Sequence, residues 1–598
     1  MRASFLGQLS ISARPTDAVP LGGAIAFDGG YVRVGDRVGD RADVARHDGL
    51  VCIASGAANF PSGRSAEHGQ GALWIDAYRA HGVLAAARAR GRFSVVIIDT
   101  VARRVWAATD RFATYPVCLA PDEAGCRFAD RADALAHERA ELSPQGMFDY
   151  LFFHVVPAPL TIFEGVVRLE QGHYALWENG RLERDAWWKP EFAEPGSGNF
   201  DAAKREFLDL VRRGVEREAQ GDRVGAFLSG GTDSSTVSGM LCEVLGRPAR
   251  TYSIGFDAAG YDEMEYARIA AKCFGTDHHE YYVTPDDLLD GIPKVATHFD
   301  QPFGNSSAVP AWICATRARE DGVTKMLAGD GGDELFGGNV RYAKQRMFGL
   351  YDSVPPLLRS AALEPLLGLA PLQHVAIVRK GASYVEQARV PMPDRMQMYN
   401  MLIRLGTENV FAPDFLARVD QEEPFRAQRE VWRAARGDAL INHMLAYDWK
   451  YTLADNDLPK VIGTTQLAGV DAGFPLVTDE LLEFSMTLPP EWKLKRFQLR
   501  WFFKEALRGF LPDEIIAKKK HGFGLPFGVW VCKHDGLKAL AFDALESFKH
   551  RGVVRPGFID TLLKEHLPAY PGYYGEMVWI LMVMEFWLRS RVPEWHIR

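Results

Sequence analysis

The fold is decided by the stretch Val224-Gly-Ala-Phe-Leu-Ser-Gly-Gly-Thr-Asp-Ser-Ser-Thr-Val-Ser238. Residues 224–228 form a short apolar run without charge, which indicates a buried strand. The polar, glycine-rich segment 229–235 follows at once, and a helix-forming run continues to Leu245. Paired glycines let the backbone turn tightly and approach a ligand that a Cβ would keep away. Backbone N–H groups and serine hydroxyls at a helix start predict a phosphate-binding loop.

A second glycine-rich stretch is Leu327-Ala-Gly-Asp-Gly-Gly-Asp-Glu-Leu-Phe-Gly-Gly338, which carries five glycines and three carboxylates. A hard cation that bridges phosphates takes its protein ligands from a few carboxylates. Asp233 and Asp333 each follow a predicted strand, and we expect these two strands to be neighbours. The two carboxylates are therefore predicted to converge on one Mg²⁺ ion.

Strands and helices alternate from residue 200 onward. Strands are predicted at 224–228, 249–256, 279–283 and 323–328, and helices at 202–219, 233–245, 263–273, 286–298 and 308–320. This alternation predicts an α/β fold with a parallel, doubly wound sheet, in which ligands bind beyond the carboxyl ends of the strands. After residue 340 helical patterns dominate, so we expect large helical additions.

Residues 1 to about 190 have a different pattern, in which short apolar runs alternate with Gly, Asp and Pro turns. Strands are predicted at 24–27, 50–54, 93–99 and 105–110, and helices near 73–90 and 143–152. The segment Glu194-Pro-Gly-Ser-Gly-Asn199 has the composition of a linker. We therefore predict two domains, 1–192 and 200–598.

The composition of the 598 residues is that of an ordinary globular protein, with a net charge of −8. This negative balance argues against a nucleic-acid or membrane surface. The seven cysteines are scattered without a C-x-x-C pair, which suits a reducing cytoplasm. The opening residues lack the apolar core of a signal peptide, and the apolar run 577–584 is too short to span a bilayer. We expect a cytoplasmic protein with no nucleic-acid and no membrane partner.

Several motifs resemble the asparagine synthetase family. Besides the glycine-rich stretch at 327–338, they are Asp300-Gln-Pro-Phe-Gly-Asn-Ser-Ser-Ala-Val-Pro310, Leu511-Pro-Asp-Glu-Ile-Ile-Ala-Lys-Lys-Lys-His-Gly-Phe-Gly-Leu-Pro526 and Val156-Pro-Ala-Pro-Leu-Thr-Ile-Phe-Glu-Gly-Val166. The loop at 229–235 is similar to the pyrophosphate loop of enzymes that split ATP into AMP and pyrophosphate. The resemblance implies an amino-terminal Ntn-hydrolase-like α+β sandwich. A pyrophosphate-loop sheet of the adenine nucleotide alpha hydrolase-like kind should follow it.

The resemblance also implies a carbon–nitrogen ligase that adenylates a carboxylate with ATP and lets a nitrogen nucleophile displace AMP. Asp330 matches a position near the attacking amine. Lys520 matches a lysine that stabilises the charge developing during adenylation, a role that a fixed ammonium can fill. Lys518 and Lys519 are interpreted as a solvated helix end. The expected ligand contacts are pyrophosphate on Ser229, Gly230, Gly231, Asp233, Ser234 and Ser235, Mg²⁺ on Asp233 and Asp333, and the nucleotide on Leu228, Ile254, Ala328 and Gly329.

One departure from the family concerns glutamine. Glutamine-using members begin with a cysteine whose free α-amine activates its thiol. Here Arg2 stands at the second position, and the nearest cysteine, Cys52, falls inside a predicted strand. The segment Asp110-Arg111-Phe112 still resembles the end of that domain's core. We therefore expect the amino-terminal fold to persist without glutamine hydrolysis.

The second departure concerns the carboxylate substrate. Aspartate-using members carry Ser-Met…Glu-x-Arg-x-Pro-Phe-Leu-Asp, whereas this chain has Leu467-Ala-Gly-Val-Asp-Ala-Gly-Phe-Pro-Leu-Val-Thr-Asp479. Ala472 or Gly473 then replaces the basic residue near the aspartate end. Loss of a buried charged contact would weaken aspartate binding by on the order of a few kcal/mol. A carboxylate other than free aspartate is therefore expected.

Four functions stay open on the sequence. The first is an AMP-forming amide synthase for a specialised small-molecule or peptide carboxylate, as in β-lactam or lasso-peptide macrolactam closure, with an internal amine or ammonia as nucleophile. The second is an ammonia-dependent asparagine synthetase. The third is a tRNA-modifying pyrophosphate-loop enzyme, which the net acidity opposes. The fourth is a catalytically silent scaffold, which the combined presence of Asp233, Asp330, Asp333 and Lys520 opposes. The oligomeric state is left open, a homodimer included.

Overall fold

The computed structural model of the chain describes residues 3–10, 24–35, 42–61, 69–136, 141–221, 223–258, 260–352, 355, 384–519 and 524–597. The amino-terminal strands are β1 (Phe5–Ser10), β2 (Ala24–Phe27), β3 (Gly30–Val34), β4 (Asp43–His47), β5 (Leu50–Asn59), β6 (Arg90–Asp99), β7 (Arg104–Thr109), β8 (Cys118–Pro121), β9 (Gly125–Ala129), β10 (Val167–Arg168), β11 (His173–Glu178) and β12 (Arg181–Ala186). They form two antiparallel sheets with the strand orders β10-β8-β9-β1-β3-β2 and β12-β11-β7-β6-β5-β4.

Strand β6 shows why the central strands read as continuous apolar runs. Residues 93–98 are all buried, although successive side chains of a strand point to opposite faces. Val96 and Ile98 enter the core between the two sheets, whereas Phe93 and Val95 enter a second core beneath α1 (Gln70–His81). The predicted α+β sandwich is therefore confirmed, and α2 (Pro144–Phe153) lies between its strands β9 and β10 along the chain.

The carboxyl-terminal part is built on a five-stranded sheet in which every pairing is parallel. Its strands are β13 (Val224–Phe227), β14 (Arg250–Phe256), β15 (Asp277–Val283), β16 (Lys325–Leu327) and β17 (Asp471–Gly473), in the order β15-β14-β13-β16-β17. The helices are α3 (Phe200–Glu218), α4 (Thr232–Leu245), α5 (Met264–Phe274), α6 (Pro285–His298) and α7 (Ala308–Glu320). Helices α3 to α5 share a core with Ala226, and α7 shares a separate core with Tyr252. Helices thus cover both faces, which confirms the doubly wound sheet.

Helices dominate after β16, as predicted, although the edge strand β17 lies among them. The sequence α8 (Gly332–Phe336) and α9 (Val340–Asp352) continues with the helical segments Asp394–Gln397, Met401–Leu405, Thr407–Val410, Pro413–Leu416, Glu423–Ala434, Leu440–Asp448, Trp449–Asp457, Leu458–Ala468, Asp479–Thr487, Pro490–Lys493, Trp501–Ala506, Asp513–Ala517, Phe527–Val531, Asp535–Phe548, Lys549–Arg551, Pro556–Thr561, Leu562–His566, Leu567–Ala569 and Pro571–Arg591. A short hairpin, β18 (Leu494–Lys495) and β19 (Gln498–Leu499), interrupts them. In the described parts of the chain, no helix has both the length and the apolar character needed to cross a membrane.

Two motifs that carry the family resemblance meet where the two parts of the chain touch. Arg168, in β10, donates to Oδ2 of Asp300 at 2.6 Å, and both side chains are largely buried. The Gln301 amide accepts from the backbone N–H of Ile162 and donates to the backbone oxygen of Val156. The segments 156–166 and 300–310 therefore hold the sandwich against the parallel sheet. The domain limits 1–192 and 200–598 stay a prediction.

Candidate active site

A cavity of about 340 Å³ lies at the carboxyl ends of β13 and β16 and beside β14. This is the edge of a parallel sheet at which ligands bind. Its wall includes the predicted residues Leu228, Ser229, Gly231, Asp233, Ser234, Ile254, Gly329, Asp330 and Asp333. The structure thus brings both glycine-rich stretches of the sequence to one place.

The loop 229–235 turns directly from β13 into α4. Gly230 has a φ of +69°, and a Cβ there would lie 2.4 Å from the backbone nitrogen of Ala267, so only glycine fits. The Ser229 N–H donates to Oγ of Ser234 at 3.1 Å, and the two serine hydroxyls are 3.0 Å apart. Gly231 precedes α4 without a side-chain cap. The first N–H groups of this helix are therefore available at the cavity wall, as an anion site requires.

The glycine-rich acidic loop packs directly on that turn. A Cβ on Gly329 would lie 2.7 Å from the backbone nitrogen of Ser234. A Cβ on Gly332 would lie 2.1 Å from Oδ1 of Asp233. Both glycines are therefore required by the close approach of the two loops. This approach also brings Asp233 to the loop that carries Asp333.

Arg500 is one of the residues of this site that the sequence did not reveal. Its Nη1 lies 2.6 Å from Oδ2 of Asp233 and 2.6 Å from Oδ1 of Asp333. The guanidinium is 8 % exposed and also forms part of the cavity wall. Its pKa is raised by the two carboxylates, which outweigh its burial. Nothing local distinguishes Arg500 in sequence from a surface arginine at a helix start.

The two carboxylates fit a Mg²⁺ ion that is bound together with a triphosphate. Magnesium in proteins is commonly held by one or two carboxylates plus substrate phosphates. Oxygens of Asp233 and Asp333 already face one point, because both contact the same Arg500 nitrogen. A Cβ on Gly338 would lie 1.7 Å from Oδ1 of Asp333, so glycine keeps this space for the carboxylate. Within the described ranges, no group of three or more His, Cys, Asp or Glu side chains could hold a metal.

Asp330 faces two groups that the sequence analysis did not single out. Lys460 Nζ lies 3.7 Å from Oδ1 of Asp330 and 2.9 Å from Oδ1 of Asp457. Burial raises the pKa of Asp330 to about 6, a rise that Lys460 opposes and Asp457 reinforces. The i, i+3 spacing of Asp457 and Lys460 at a helix start was the available signal. A carboxyl group of this pKa can accept a proton near neutral pH.

The interpretation of Lys518 as part of a solvated helix end is wrong. Its side chain is 8 % exposed and lines the cavity, whereas Lys519 is exposed as expected. The Lys518 Nζ lies 3.1 Å from Oε2 of Glu263 and donates to the backbone oxygen of Gly230 at 3.3 Å. It also lies 4.4 Å from the ring centre of Tyr266. Lys518 therefore ties the loop 229–235 to the helix α5 behind it.

Four predicted residues lie outside the cavity wall or are not described. Gly230, Ser235 and Ala328 are buried and lie outside the set of residues that form the wall. The Ala328 N–H donates to the backbone oxygen of Gly473, which continues the pairing of β16 with β17. Lys520 lies outside the described residues. Its role stays a prediction.

The predicted substrate position, Ala472 or Gly473, is not part of the cavity wall in either case. Gly473 belongs to the edge strand β17, and a Cβ there would lie 2.5 Å from Cδ2 of Leu327 and 2.9 Å from Oε2 of Glu218. Glu218 is buried and contacts Arg92 at 2.7 Å and Lys325 at 2.5 Å. Glycine at this position leaves room for the buried ion cluster of Glu218, Arg92 and Lys325. The missing charge therefore does not argue against aspartate as the substrate.

A family model described as "Asparagine synthase" matches residues 206–589. The chain belongs to the asparagine synthase family. A second model, described as "Glutamine amidotransferase domain", matches residues 68–188. This asparagine synthase family member is accordingly a carbon–nitrogen ligase of an ATP-dependent, amide-forming family.

Curated relatives match over most of the family member's length. It is 24% identical over 524 residues to "Asparagine synthetase [glutamine-hydrolyzing] 1" of Bacillus subtilis (strain 168), covering 85% of this chain and 79% of the relative. It is 25% identical over 534 residues to "Putative asparagine synthetase [glutamine-hydrolyzing]" of Mycobacterium bovis, covering 87% and 80%. Among solved structures, "Structure of NMN synthetase from Francisella tularensis" is 13% identical, covers 36% of this chain and 96% of that one, and has a TM-score of 0.20.

Proposed function

We propose that this protein is an AMP-forming amide synthase that adenylates a specialised carboxylate and joins it to an amine without hydrolysing glutamine. The observation that carries the proposal is that the turn 229–235 and the acidic loop 329–334 close on one cavity. Helix N–H groups suit pyrophosphate, and the facing carboxylates of Asp233 and Asp333 suit Mg²⁺. The binding of a triphosphate needs both the N–H groups and the metal ion.

In the first step, a carboxylate oxygen of the substrate attacks the α-phosphorus of ATP. The bond from this phosphorus to the bridging oxygen breaks, and pyrophosphate leaves with the electron pair. Asp233 and Asp333 would hold Mg²⁺, which neutralises negative charge on the phosphates. Lys518 and Lys520 supply further positive charge. Pyrophosphate would contact Ser229, Gly230, Gly231 and Ser234. The nucleotide would contact Leu228, Ile254 and Gly329. Ser235 and Ala328 would support these residues from behind.

In the second step, an amine nitrogen attacks the carbonyl carbon of the acyl adenylate, and AMP leaves with the electron pair of the broken bond. The nitrogen must lose a proton, and Asp330 is the acceptor that we propose, because its pKa of about 6 makes it a carboxylate at neutral pH. Lys460, which Asp457 holds in place, would orient this carboxylate from 3.7 Å away.

The loss of glutamine hydrolysis is supported by the cysteines of the sandwich. Within the described residues before 200, the cysteines are Cys52, Cys118 and Cys126, and all three are buried. Burial raises the pKa of each thiol, to about 12 for Cys118. A cysteine nucleophile needs an accessible thiol with a lowered pKa. Incubation with glutamine, ATP and the substrate should therefore release no glutamate, while AMP forms with an amine or ammonia. Glutamate release in step with AMP would contradict this part of the proposal.

A groove next to the cavity supports a substrate larger than an amino acid. Glu263 and Lys518 line both the cavity and an adjoining depression of about 600 Å³. Gly260 and Asp262 join that depression to another of about 990 Å³ beside Trp530. Such a row of adjoining depressions would suit an extended chain whose carboxyl group reaches the α-phosphate. We therefore propose a peptide carboxylate, with closure by the peptide's own amine to a macrolactam of the lasso type.

The test is a panel of peptides that carry a free amine and a carboxylate, incubated with the full chain, ATP and Mg²⁺. Mass spectrometry should show loss of one water from a peptide, with one AMP and one pyrophosphate formed for each product. Asp233→Ala should abolish AMP formation while the far-UV circular dichroism stays unchanged. ADP as the only nucleotide product would overturn the proposal.

Asparagine synthetase is the second candidate, and the position of Gly473 outside the cavity wall keeps it open. Pyrophosphate release with aspartate and ammonia, in the absence of any peptide, would identify it. A tRNA-modifying activity is the third. A gel shift with tRNA at physiological salt should show no complex, because the chain is acidic.

The cytoplasm is the location that we propose. All seven cysteines are free thiols, which suits a reducing compartment.

A further inference from the structure

Arg500 occupies the point on which the two proposed magnesium ligands converge. One nitrogen, Nη1, contacts both Asp233 and Asp333 at 2.6 Å. The side chain exposures are 8 % for Arg500, 20% for Asp233 and 16% for Asp333, so water screens this contact poorly. Two carboxylates held this close repel each other unless a cation lies between them. The guanidinium therefore neutralises the two carboxylates in the way that a metal ion would.

The backbone holds Arg500 in this position. Its φ of +52° is in the left-handed region, which a residue with a side chain adopts rarely. The Arg500 N–H is shared between the backbone oxygens of Lys493, at 3.0 Å, and Gly337, at 3.1 Å. Gly337 ends helix α8, which carries Asp333. The segment that positions one carboxylate thus also positions the arginine, and the unusual backbone conformation is consistent with a functional requirement.

We propose that Arg500 is a positioning residue that holds Asp233 and Asp333 at the metal position until the nucleotide binds, and that it then exchanges the carboxylates for the phosphates. This inference rests on the proposed function, because it takes the two carboxylates to be magnesium ligands. The guanidinium is part of the cavity wall, and planar guanidinium groups bind phosphate oxygens through two parallel hydrogen bonds. The exchange keeps the buried carboxylates neutralised at each stage.

We therefore expect Arg500 to compete with a metal ion for the carboxylates of Asp233 and Asp333. In Arg500→Met, Mn²⁺ alone should bind at least tenfold more tightly than in the wild type, because the competing cation is removed. Binding is measured without nucleotide by the loss of the free Mn²⁺ signal in electron paramagnetic resonance. In the same variant the apparent affinity for ATP should fall at least tenfold. A residue with a merely structural role would not tighten metal binding.

Lys504 provides the matched control. It lies one turn further along, in the helix Trp501–Ala506, and its ammonium interacts electrostatically with Asp233 and Asp333. Lys504→Met removes a nearby positive charge without removing the ion between the carboxylates, so its Mn²⁺ affinity should change by less than threefold. If Lys504→Met tightens Mn²⁺ binding as much as Arg500→Met, net charge alone explains the effect and the inference is overturned.

A second set of variants separates this inference from the proposed function. Asp333→Asn in the Arg500→Met background should abolish the gain in Mn²⁺ affinity. If the double variant binds as tightly as Arg500→Met, the assignment of Asp333 to the metal is wrong, and the inference falls with it. If Asp333→Asn weakens binding but Arg500→Met binds as the wild type does, only the inference is overturned. Arg500→Lys, which keeps the charge, guards against misfolding of the methionine variant and should give an intermediate affinity.

Discussion

Two neighbouring lysines have opposite environments, and their substitution gives a direct test of the site. Lys518 contacts Glu263 and the backbone oxygen of Gly230, whereas Lys519 is exposed. A hydrogen bond from a charged group contributes about 1.5–3 kcal/mol. Lys518→Met should therefore raise the KM for ATP by about 10-fold or more in a pyrophosphate-release assay.

Lys519→Met is the control for this prediction, and its KM should equal that of the wild type. Equal KM values for both variants would show that Lys518 does not support the loop 229–235. Thermal unfolding of each variant checks that the fold is retained.

The rate of amide formation should fall at acidic pH, because protonation of Asp330 removes the proton acceptor. Its pKa of about 6 arises from burial, which Lys460 partly offsets and Asp457 strengthens. If Asp330 accepts the proton of the amine, it must be ionised, so the rate should rise tenfold per pH unit below 6 and level off above it. Lys460→Gln removes the opposing charge, so the midpoint should move to higher pH. The measurement is a pH profile of product formation, and an unchanged midpoint in Lys460→Gln would contradict this role.

The ion pair of Arg168 and Asp300 links β10 of the sandwich to the segment after α6, and the stability of the protein should depend on it. Burial raises the pKa of Asp300, but Arg168 and Arg131 lower it to about 2, and stability from this pair should be lost as pH falls from about 4 toward 2. Arg168→Met leaves a buried carboxylate without its main partner, which costs about 3–5 kcal/mol. Chemical denaturation at neutral pH measures this loss.

The exposed pair of Arg104 and Glu178 is the comparison. Their side chains are 42% and 31% exposed, and such pairs contribute about 1 kcal/mol or less. Arg104→Met should therefore leave stability almost unchanged. A similar loss in both variants would mean that burial of the Arg168 pair has no special effect.

At the scale of single elements, the sequence pattern was sufficient to predict a helix or strand where an apolar run is bounded by turns. The predicted helix 308–320 coincides with Ala308–Glu320, and the strand predicted at 249–256 corresponds to Arg250–Phe256. The strand Asp471–Gly473 was missed because its three residues carry no apolar alternation. It exists through parallel pairing with β16, which no local pattern can indicate.

At the scale of the whole molecule, the difference between local sequence pattern and long-range packing also explains which site residues could be predicted. Residues that directly follow β13 and β16 are fixed by topology, because neighbouring parallel strands end at one edge of the sheet. Lys460 lies in the helix Leu458–Ala468, Arg500 directly before the helix Trp501–Ala506 and Lys518 directly after the helix Asp513–Ala517. Each reaches the cavity only through long-range packing. In sequence they have the ordinary appearance of helix-surface cations. The acidic residues of the two loops, Asp233, Asp330 and Asp333, were therefore predictable, whereas Asp457 and the cations Arg500, Lys460 and Lys518 were not.

Global stability should depend on pH through Lys493, which is fully buried beside the segment joining the sandwich to the parallel sheet. Its Nζ donates to Oδ1 of Asn442 at 2.7 Å, and Asn442 in turn donates to Glu194. Burial lowers the pKa of Lys493 to about 7, although Glu194 opposes the change. Between pH 7 and an unfolded-state pKa of about 10.4, the unfolded chain binds more protons than the folded one. The free energy of unfolding therefore rises with pH across this window.

Lys493→Met removes the cost of burying the charge, which is fully present below pH 7 and absent above about pH 10.4. The variant should therefore unfold at a higher temperature than the wild type at pH 7, by an amount that corresponds to about 2–4 kcal/mol after loss of the Asn442 hydrogen bond. The gain should shrink and then reverse toward pH 10, where the neutral amine keeps that hydrogen bond. Lys533→Met, at an exposed lysine, should show neither effect. A Lys493→Met variant that is less stable than the wild type at pH 7 would mean that Glu194 and Asn442 compensate the buried ammonium completely.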